Sequence, residues 1–337
     1  MQDRYSRQQL FKPIGTEGQQ KLATKHVLII GMGALGSAAA EALTRAGVGT
    51  LTLVDRDFVE WSNLQRQQLY TEQDAMQKLP KVIAAKARLH AINSTIHISA
   101  HIMDACSEQL IPLLTNVDIM IDATDNFDIR FILNDIAQKY NIPWVYGSCV
   151  GSYGAYYTIL PNITPCLRCL TTVVTTGMTC DTLGIISPAV QMVAAYQVAE
   201  VLKYLVGDVT QLQKKYVMFD VWQNQHHAIA TEAMQNPHCE SCGAAPTYPA
   251  LHYKNQTKLE VLCGRDAVQI RPAKTIHYNL PKLALQLQAH GEVQYNHYLL
   301  ACQAQDYRIV IFEDGRVVIH GVATIEQAKI IYYRLLG

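Results

Sequence analysis

"KHVLIIGMGALGSAAAEALTRAG", residues 25 to 47, joins an apolar, β-branched run to a cluster of small residues and then to an Ala-rich tail. The order predicts a strand, a tight turn and a helix. Gly31, Gly33 and Gly36 spell G-x-G-x-x-G across the junction. Small residues there let a backbone approach a phosphate, and the helix start offers unpaired N–H groups and a positive dipole end. Asp55 ends the next strand-like run, "VGTLTLVD" (48–55), where a carboxylate can accept hydrogen bonds from a ribose. Taken alone, the glycine turn favours an NAD-dependent oxidoreductase. A turn that only lets helix and strand pack closely is the plainer alternative.

Working outward, strands and helices alternate. "LPKVIAAKARLHAIN" (79–93) reads as a helix with Pro80 in its first turn, and "TIHISAHI" as a strand. "NVDIMIDAT" (116–124) and "IPWVYGSC" (142–149) are buried strands separated by the helical "NFDIRFILNDIAQKY". This alternation predicts an α/β fold, a doubly wound, mostly parallel, Rossmann-like sheet. "SYGAYYTILP" (152–161) adds a strand in a different style, and "SPAVQMVAAYQVAEVLKYLVG" (187–207) is a long helix apolar on most sides. After "CESCGAAPTYP" the style changes again, to strand-like runs, a short helix, a hairpin turning at Asp314-Gly315 and a last helix. The division expected is residues 1–245 for the first domain and 246–337 for a small C-terminal α+β domain.

The charges balance, 28 basic against 28 acidic, which leaves no electrostatic footprint for nucleic acid or an anionic membrane. No run approaches the roughly 18 apolar residues of a membrane span. The opening "MQDRYSRQQLFK" has no signal-peptide h-region, so a cytoplasmic protein is expected.

"SNLQRQ", residues 62 to 67, follows the Asp55 strand and carries one cation and three amides. A dinucleotide gains little from it. A triphosphate, with about four negative charges, needs cations and a metal. Arg66, Lys81 at the start of the next helix, and the "DATDN" after the fourth strand supply such groups. Asp125 lies where open α/β sheets bind ligands, and a carboxylate there suits Mg²⁺. The polar run therefore reads as a phosphate clamp.

Nine cysteines in a protein of this kind do not suggest a disulfide framework. Cys166 and Cys169 in "PCLRCL", with Cys239 and Cys242 in "HCESCG", make two C-x-x-C pairs, the usual material of a closed structural zinc site. The roughly 70-residue gap exceeds zinc-ribbon spacing, so a redox pair or unrelated thiols remain open. Cys180 lies in the Gly- and Thr-rich "TGMTCDTLGIISP". Cys106, Cys149, Cys263 and Cys302 read as small buried or partly buried residues.

With GMGALG, Asp55, "SNLQRQ", "LPK" and "DATDN" in this order, the chain resembles the MoeB/ThiF family over about residues 4 to 244. These relatives of ubiquitin-activating enzymes adenylate sulfur carrier proteins. The resemblance implies that Gly33 and Ala34 lie against ATP through backbone groups and that Asp55 holds its ribose. It places Ser62, Asn63 and Arg66 on the phosphates or nucleotide, Lys81 on a phosphate, Asp125 on Mg²⁺ and Asn126 beside the nucleotide. It makes the four paired cysteines zinc ligands. It implies a homodimer, with Arg7 of "RYSRQ" reaching the neighbouring subunit's site. Cys180 corresponds to a crossover-loop cysteine that, in thiamine-type members, joins the activated carrier in an acyl-disulfide; molybdopterin-type members dispense with it. The partner implied is a small ubiquitin-like carrier ending in Gly-Gly, with a sulfur donor such as a cysteine desulfurase. The region after residue 245 does not resemble the rhodanese domain of longer relatives. A catalytically idle scaffold that binds nucleotide or carrier is the competing reading, against which the presence of every expected charged position counts.

Overall fold

A computed structural model describes residues 4–171, 184–252, 259–262, 267–270, 277–304 and 306–336. Two compact units part between residues 252 and 259.

In the first unit, eight strands form one sheet in the order β3-β2-β1-β4-β5-β6-β7-β8. They are β1 His26–Ile30, β2 Thr50–Asp55, β3 His97–Ile102, β4 Ile119–Asp122, β5 Trp144–Val150, β6 Tyr153–Ile159, β7 Tyr216–Asp220 and β8 Gln225–Ile229. The first five run parallel and β6 to β8 are antiparallel. Strand β1 alternates between two cores. Val27 and Ile29 face helices Ala34–Ala46, Lys81–Ile92 and Ser187–Val206, whereas Leu28 and Ile30 face helix Phe127–Tyr140. A central parallel strand buried on both sides must be apolar throughout, which is why its sequence is a run with no alternation. Pro80 is the N-cap of helix Lys81–Ile92, one place earlier than the sequence suggested. The sequence carries no strand signal for β8, which is exposed along its whole length, whereas its partner β7 is a short apolar run buried at four of its five positions.

Strand β1 has β2 on one side and β4 on the other, so the chain's connections diverge here and open a crevice at the strands' carboxyl ends. The glycine turn fits this place for steric reasons. Gly31 adopts φ +90°, and a Cβ at Gly36 would lie 1.9 Å from the Gly31 carbonyl oxygen. Helix Ala34–Ala46 can begin against the strand only because that Cβ is missing.

The second unit is an antiparallel six-stranded sheet in the order β11-β12-β13-β14-β10-β9. Its strands are β9 Leu259–Leu262, β10 Ala267–Ile270, β11 Glu292–Tyr295, β12 Leu299–Gln303, β13 Arg308–Phe312 and β14 Val317–His320. Helices Leu280–Leu287 and Ile325–Leu336 cover one face, burying Leu283, Leu287 and Ala328 against Leu300, Ile309, Ile311 and Ile319. Gly315, at φ +90°, makes the expected turn between β13 and β14.

Gly36→Ala should lower the unfolding free energy by more than about 3 kcal/mol, the upper range for overpacking a tight site. Urea titration checks this; wild-type stability would contradict the close contact.

Candidate functional site

The crevice is built from the ends of β1, β2 and β4. Asp55, the last residue of β2, accepts the Met32 N–H at 2.5 Å and the Asp57 N–H at 2.6 Å. It thus fastens the glycine turn to its own loop. Burial pushes the Asp55 carboxyl above the usual carboxylate range, while Lys81 acts in the opposite direction. Tyr70 donates to the Met32 carbonyl at 2.5 Å, closing the turn from the other side. Gly33 is the N-cap of helix Ala34–Ala46, and a Cβ placed there would meet only Gln67 Nε2, at 3.8 Å. The backbone here is open to a phosphate-bearing ligand, and Ala34 is the first helical residue behind it.

The "SNLQRQ" run forms a 3₁₀ turn, Trp61–Asn63, and the loop after it. Ser62 is exposed. Asn63 is buried, and its side-chain oxygen accepts the Glu60 N–H at 3.0 Å, so it shapes the turn. Arg66 Nη1 donates to the Ser62 carbonyl at 2.9 Å, which holds the guanidinium over the turn. Lys81 is 4% exposed and its ammonium lies 3.2 Å from Asp57 Oδ2. The motifs of the sequence do not single out Asp57, which binds the buried lysine through its side chain and, through its N–H, Asp55. A D-x-D at the end of a strand was the available signal.

At the end of β4, Asp122 is fully buried and ion-paired to Arg130 Nε at 3.0 Å. Burial raises the Asp122 carboxyl, and Arg130 and Thr124 oppose that rise. Arg130 also donates to the carbonyls of Thr124 at 2.6 Å and Gly147 at 3.1 Å, locking the "DATDN" loop to β5. Asn126 caps helix Phe127–Tyr140, accepting the N–H groups of Asp128 at 2.7 Å and Ile129 at 3.2 Å. Asp125, between these anchors, is exposed at the strand end. A hard carboxylate oxygen in that position fits Mg²⁺.

Arg7 does not join this crevice in its own chain. It is exposed in the short helix Ser6–Gln9, while nearby Tyr5 packs its ring against Gly47, at the far end of helix Ala34–Ala46. Thirteen residues of helix put about 20 Å between that end and Gly33. Cys180 lies outside the described residues.

The four paired cysteines converge. Cys166 Sγ is 3.8 Å from Cys169 Sγ and 3.6 Å from Cys239 Sγ, and Cys169 Sγ is 3.5 Å from Cys242 Sγ. All four sulfurs lie within 4.8 Å of one another. A tetrahedron with metal–sulfur bonds of about 2.3 Å has edges of about 3.8 Å, so the set fits zinc with no position left for a substrate. Hydrogen bonding from Cys166 brings the Cys242 thiol down to about 5, and burial pushes Cys169 up to about 11. Their surroundings tie the cluster to the crevice helix. The Ser241 N–H points at Cys239 Sγ at 3.4 Å, and its hydroxyl donates to the buried Asp135 of helix Phe127–Tyr140.

The model of the ThiF family matches residues 5–241. The chain belongs to the ThiF family. It is 48% identical over 339 residues to the sulfur carrier protein ThiS adenylyltransferase of Bacillus subtilis (strain 168), a match that covers 100% of both chains. It is 35% identical over 242 residues to the molybdopterin-synthase adenylyltransferase of Escherichia coli (strain K12), covering 71% of this chain and 96% of that one. Among solved structures, E. coli MccB with MccA-N7isoASN aligns at a TM-score of 0.62 over 72% of this chain and 76% of that chain. At 23% identity that likeness is one of fold. Among the described residues, no helix is long and apolar enough to cross a membrane.

Freshly prepared protein should carry about one zinc per chain, as a closed four-thiolate site implies. Stripping it should lower the melting temperature, because Asp135, Ser241 and the Cys166–Cys169 segment lose their common anchor. Elemental analysis without zinc would contradict the assignment.

Proposed function

We propose that the chain adenylates the C-terminal glycine carboxylate of a small ubiquitin-like sulfur carrier protein ending in Gly-Gly, with ATP as the second substrate. One observation carries the reading: the open glycine turn, Asp55 and Asp125 stand at the carboxyl ends of the adjacent strands β1, β2 and β4 or in the loops that follow them, and the buried Lys81, first residue of its helix, joins them through Asp57. That set suits a triphosphate and its metal. It offers a nicotinamide ring nothing in particular, and family membership also argues against an oxidoreductase.

In the reaction, a carrier carboxylate oxygen attacks the α-phosphorus. A new P–O bond forms, the bond to the β-phosphate bridge breaks, and pyrophosphate leaves with the electron pair. The nucleophile is anionic at neutral pH, so no general base is required. Positioning, and relief of repulsion between two anions, are the catalytic needs. Asp55 would hold the ribose, and Gly33 and Ala34 would face the phosphates through backbone groups. Ser62, Asn63 and Asn126 would line the nucleotide, while Arg66 and Lys81 would draw charge from the departing pyrophosphate. Mg²⁺, held by Asp125, would neutralise part of the triphosphate when bound.

Lys81 is already paired with Asp57, so an arriving phosphate would share or displace that carboxylate. Arg7 would serve a second copy of the chain in a homodimer. Leu10 and Phe11, 71% and 60% exposed beside it in sequence, are the apolar groups such a pairing would cover. The name of the Bacillus relative favours a thiamine-type carrier, with Cys180 forming the acyl-disulfide and a donor such as a cysteine desulfurase supplying sulfur in the cytoplasm.

Arg66→Ala and Lys81→Ala should each slow carrier-dependent ATP–pyrophosphate exchange by about 10²–10³, as loss of one preorganised charge contact does. Cys180→Ser should keep exchange near wild type and stop sulfur transfer, because a hydroxyl cannot form an acyl-disulfide. Wild-type exchange in both cation variants would remove them from the site. Full sulfur transfer with Ser at 180 would leave activation as the protein's whole task.

A further inference from the structure

Gln67 closes the "SNLQRQ" run, and its situation in the free crevice is costly. It is 4% exposed, and its Oε1 is buried with no hydrogen-bond partner. Buried acceptors are almost always satisfied, so one left open calls for a physical reason. Asn93, a buried amide of the same unit, is used on both ends, donating to the Thr44 carbonyl at 2.9 Å and accepting the Thr95 hydroxyl at 2.8 Å, whereas Gln109, Gln138 and Gln197 each also keep one buried atom without a partner. What distinguishes Gln67 is its place.

Two features give the reason. The first is place: Gln67 Nε2 is the nearest atom to where a Cβ at Gly33 would stand, so the carboxamide borders the point at which the glycine turn opens to a ligand. The second is freedom confined to the side chain. The Gln67 N–H donates to the Asn63 carbonyl at 2.9 Å, its own carbonyl accepts the Tyr70 N–H at 3.2 Å, and Tyr70 is bonded to Met32. The backbone is therefore pinned on both sides, and only rotation of the side chain can relieve the open acceptor.

We propose that Gln67 is a nucleotide-positioning residue, which turns its carboxamide to ATP as the crevice fills; this rests on the adenylation reading above. Nε2 donates to a phosphate oxygen seated at the start of helix Ala34–Ala46. Oε1 leaves its sealed position for a hydroxyl of the ribose beside Asp55. One side chain thereby spans the phosphate and sugar of the nucleotide, and its bonding is complete only in the bound state.

The test measures ATP binding without carrier, by calorimetry with ATP and Mg²⁺, alongside melting of the free protein. Gln67→Met keeps the length of the side chain and removes both polar ends. The free variant should melt at or above wild type, since an open acceptor has gone, while its ATP dissociation constant rises about tenfold or more, the scale of a hydrogen bond to a charged group. Gln67→Glu, of the same shape but anionic beside the phosphates, should bind ATP more weakly still. Unchanged ATP affinity in both variants, with wild type binding normally, would overturn this inference alone. A Met variant that melts well below wild type and binds ATP normally would mark the amide as structural. Failure of the wild type to bind ATP would overturn the adenylation reading and this inference together.

Discussion

No side-chain atom fits between Gly36 and the carbonyl oxygen of Gly31, and the first unit is arranged around that contact. It brings the start of helix Ala34–Ala46 down onto the end of β1, so that unpaired N–H groups face the crevice. With the turn held that low, the Met32 N–H reaches Asp55 and the Met32 carbonyl reaches Tyr70. Asp55, the open backbone at Gly33 and the loop bearing Arg66 and Gln67 thus become parts of one rigid object. Preorganisation of this kind matters for a reaction whose nucleophile needs no activation, because placement is then most of the catalysis.

A second anchor sits across the switch point. Arg130 binds Asp122, the Thr124 carbonyl and the Gly147 carbonyl, fixing the loop on which Asp125 stands. The helix that carries Arg130 also carries Asn134 and Asp135. Asn134 accepts the Leu167 N–H at 2.8 Å, and Asp135 holds Ser241 and the Ala250 N–H. The cysteine cluster is therefore fastened to the same helix whose N-terminus positions Asp125, although a metal bound by its four thiolates would have no open coordination place. A zinc ion held by that cluster would act on the crevice through rigidity alone.

Most of this was legible in the sequence because each element solves a local problem with a distinct residue choice. The unbroken apolar run of β1, the spaced glycines and the Ala-rich helix admit one arrangement. Two C-x-x-C pairs, though far apart in the chain, are brought together by the fold as zinc geometry requires. What the sequence did not show depends on long-range contacts. Asn63 reads as a polar ligand contact, yet its oxygen is spent on the turn at Glu60. Asp57 and Arg130 look like surface charges until folding buries their partners Lys81 and Asp122. The open acceptor of Gln67 is a property of its surroundings, and no residue pattern announces it. Strand β8 escaped notice because an exposed edge strand has no hydrophobic period to read.

The central claim is that this chain joins AMP to a carrier's C-terminal carboxylate, and the product itself can be weighed. The protein is incubated with ATP, Mg²⁺ and a Gly-Gly-ended carrier, with pyrophosphatase to remove the second product, and the carrier's intact mass is recorded. The account predicts that the carrier gains one adenylyl group, and that a carrier lacking its final glycine gains none. A carrier whose mass stays unchanged, under conditions where the protein binds ATP, would contradict it.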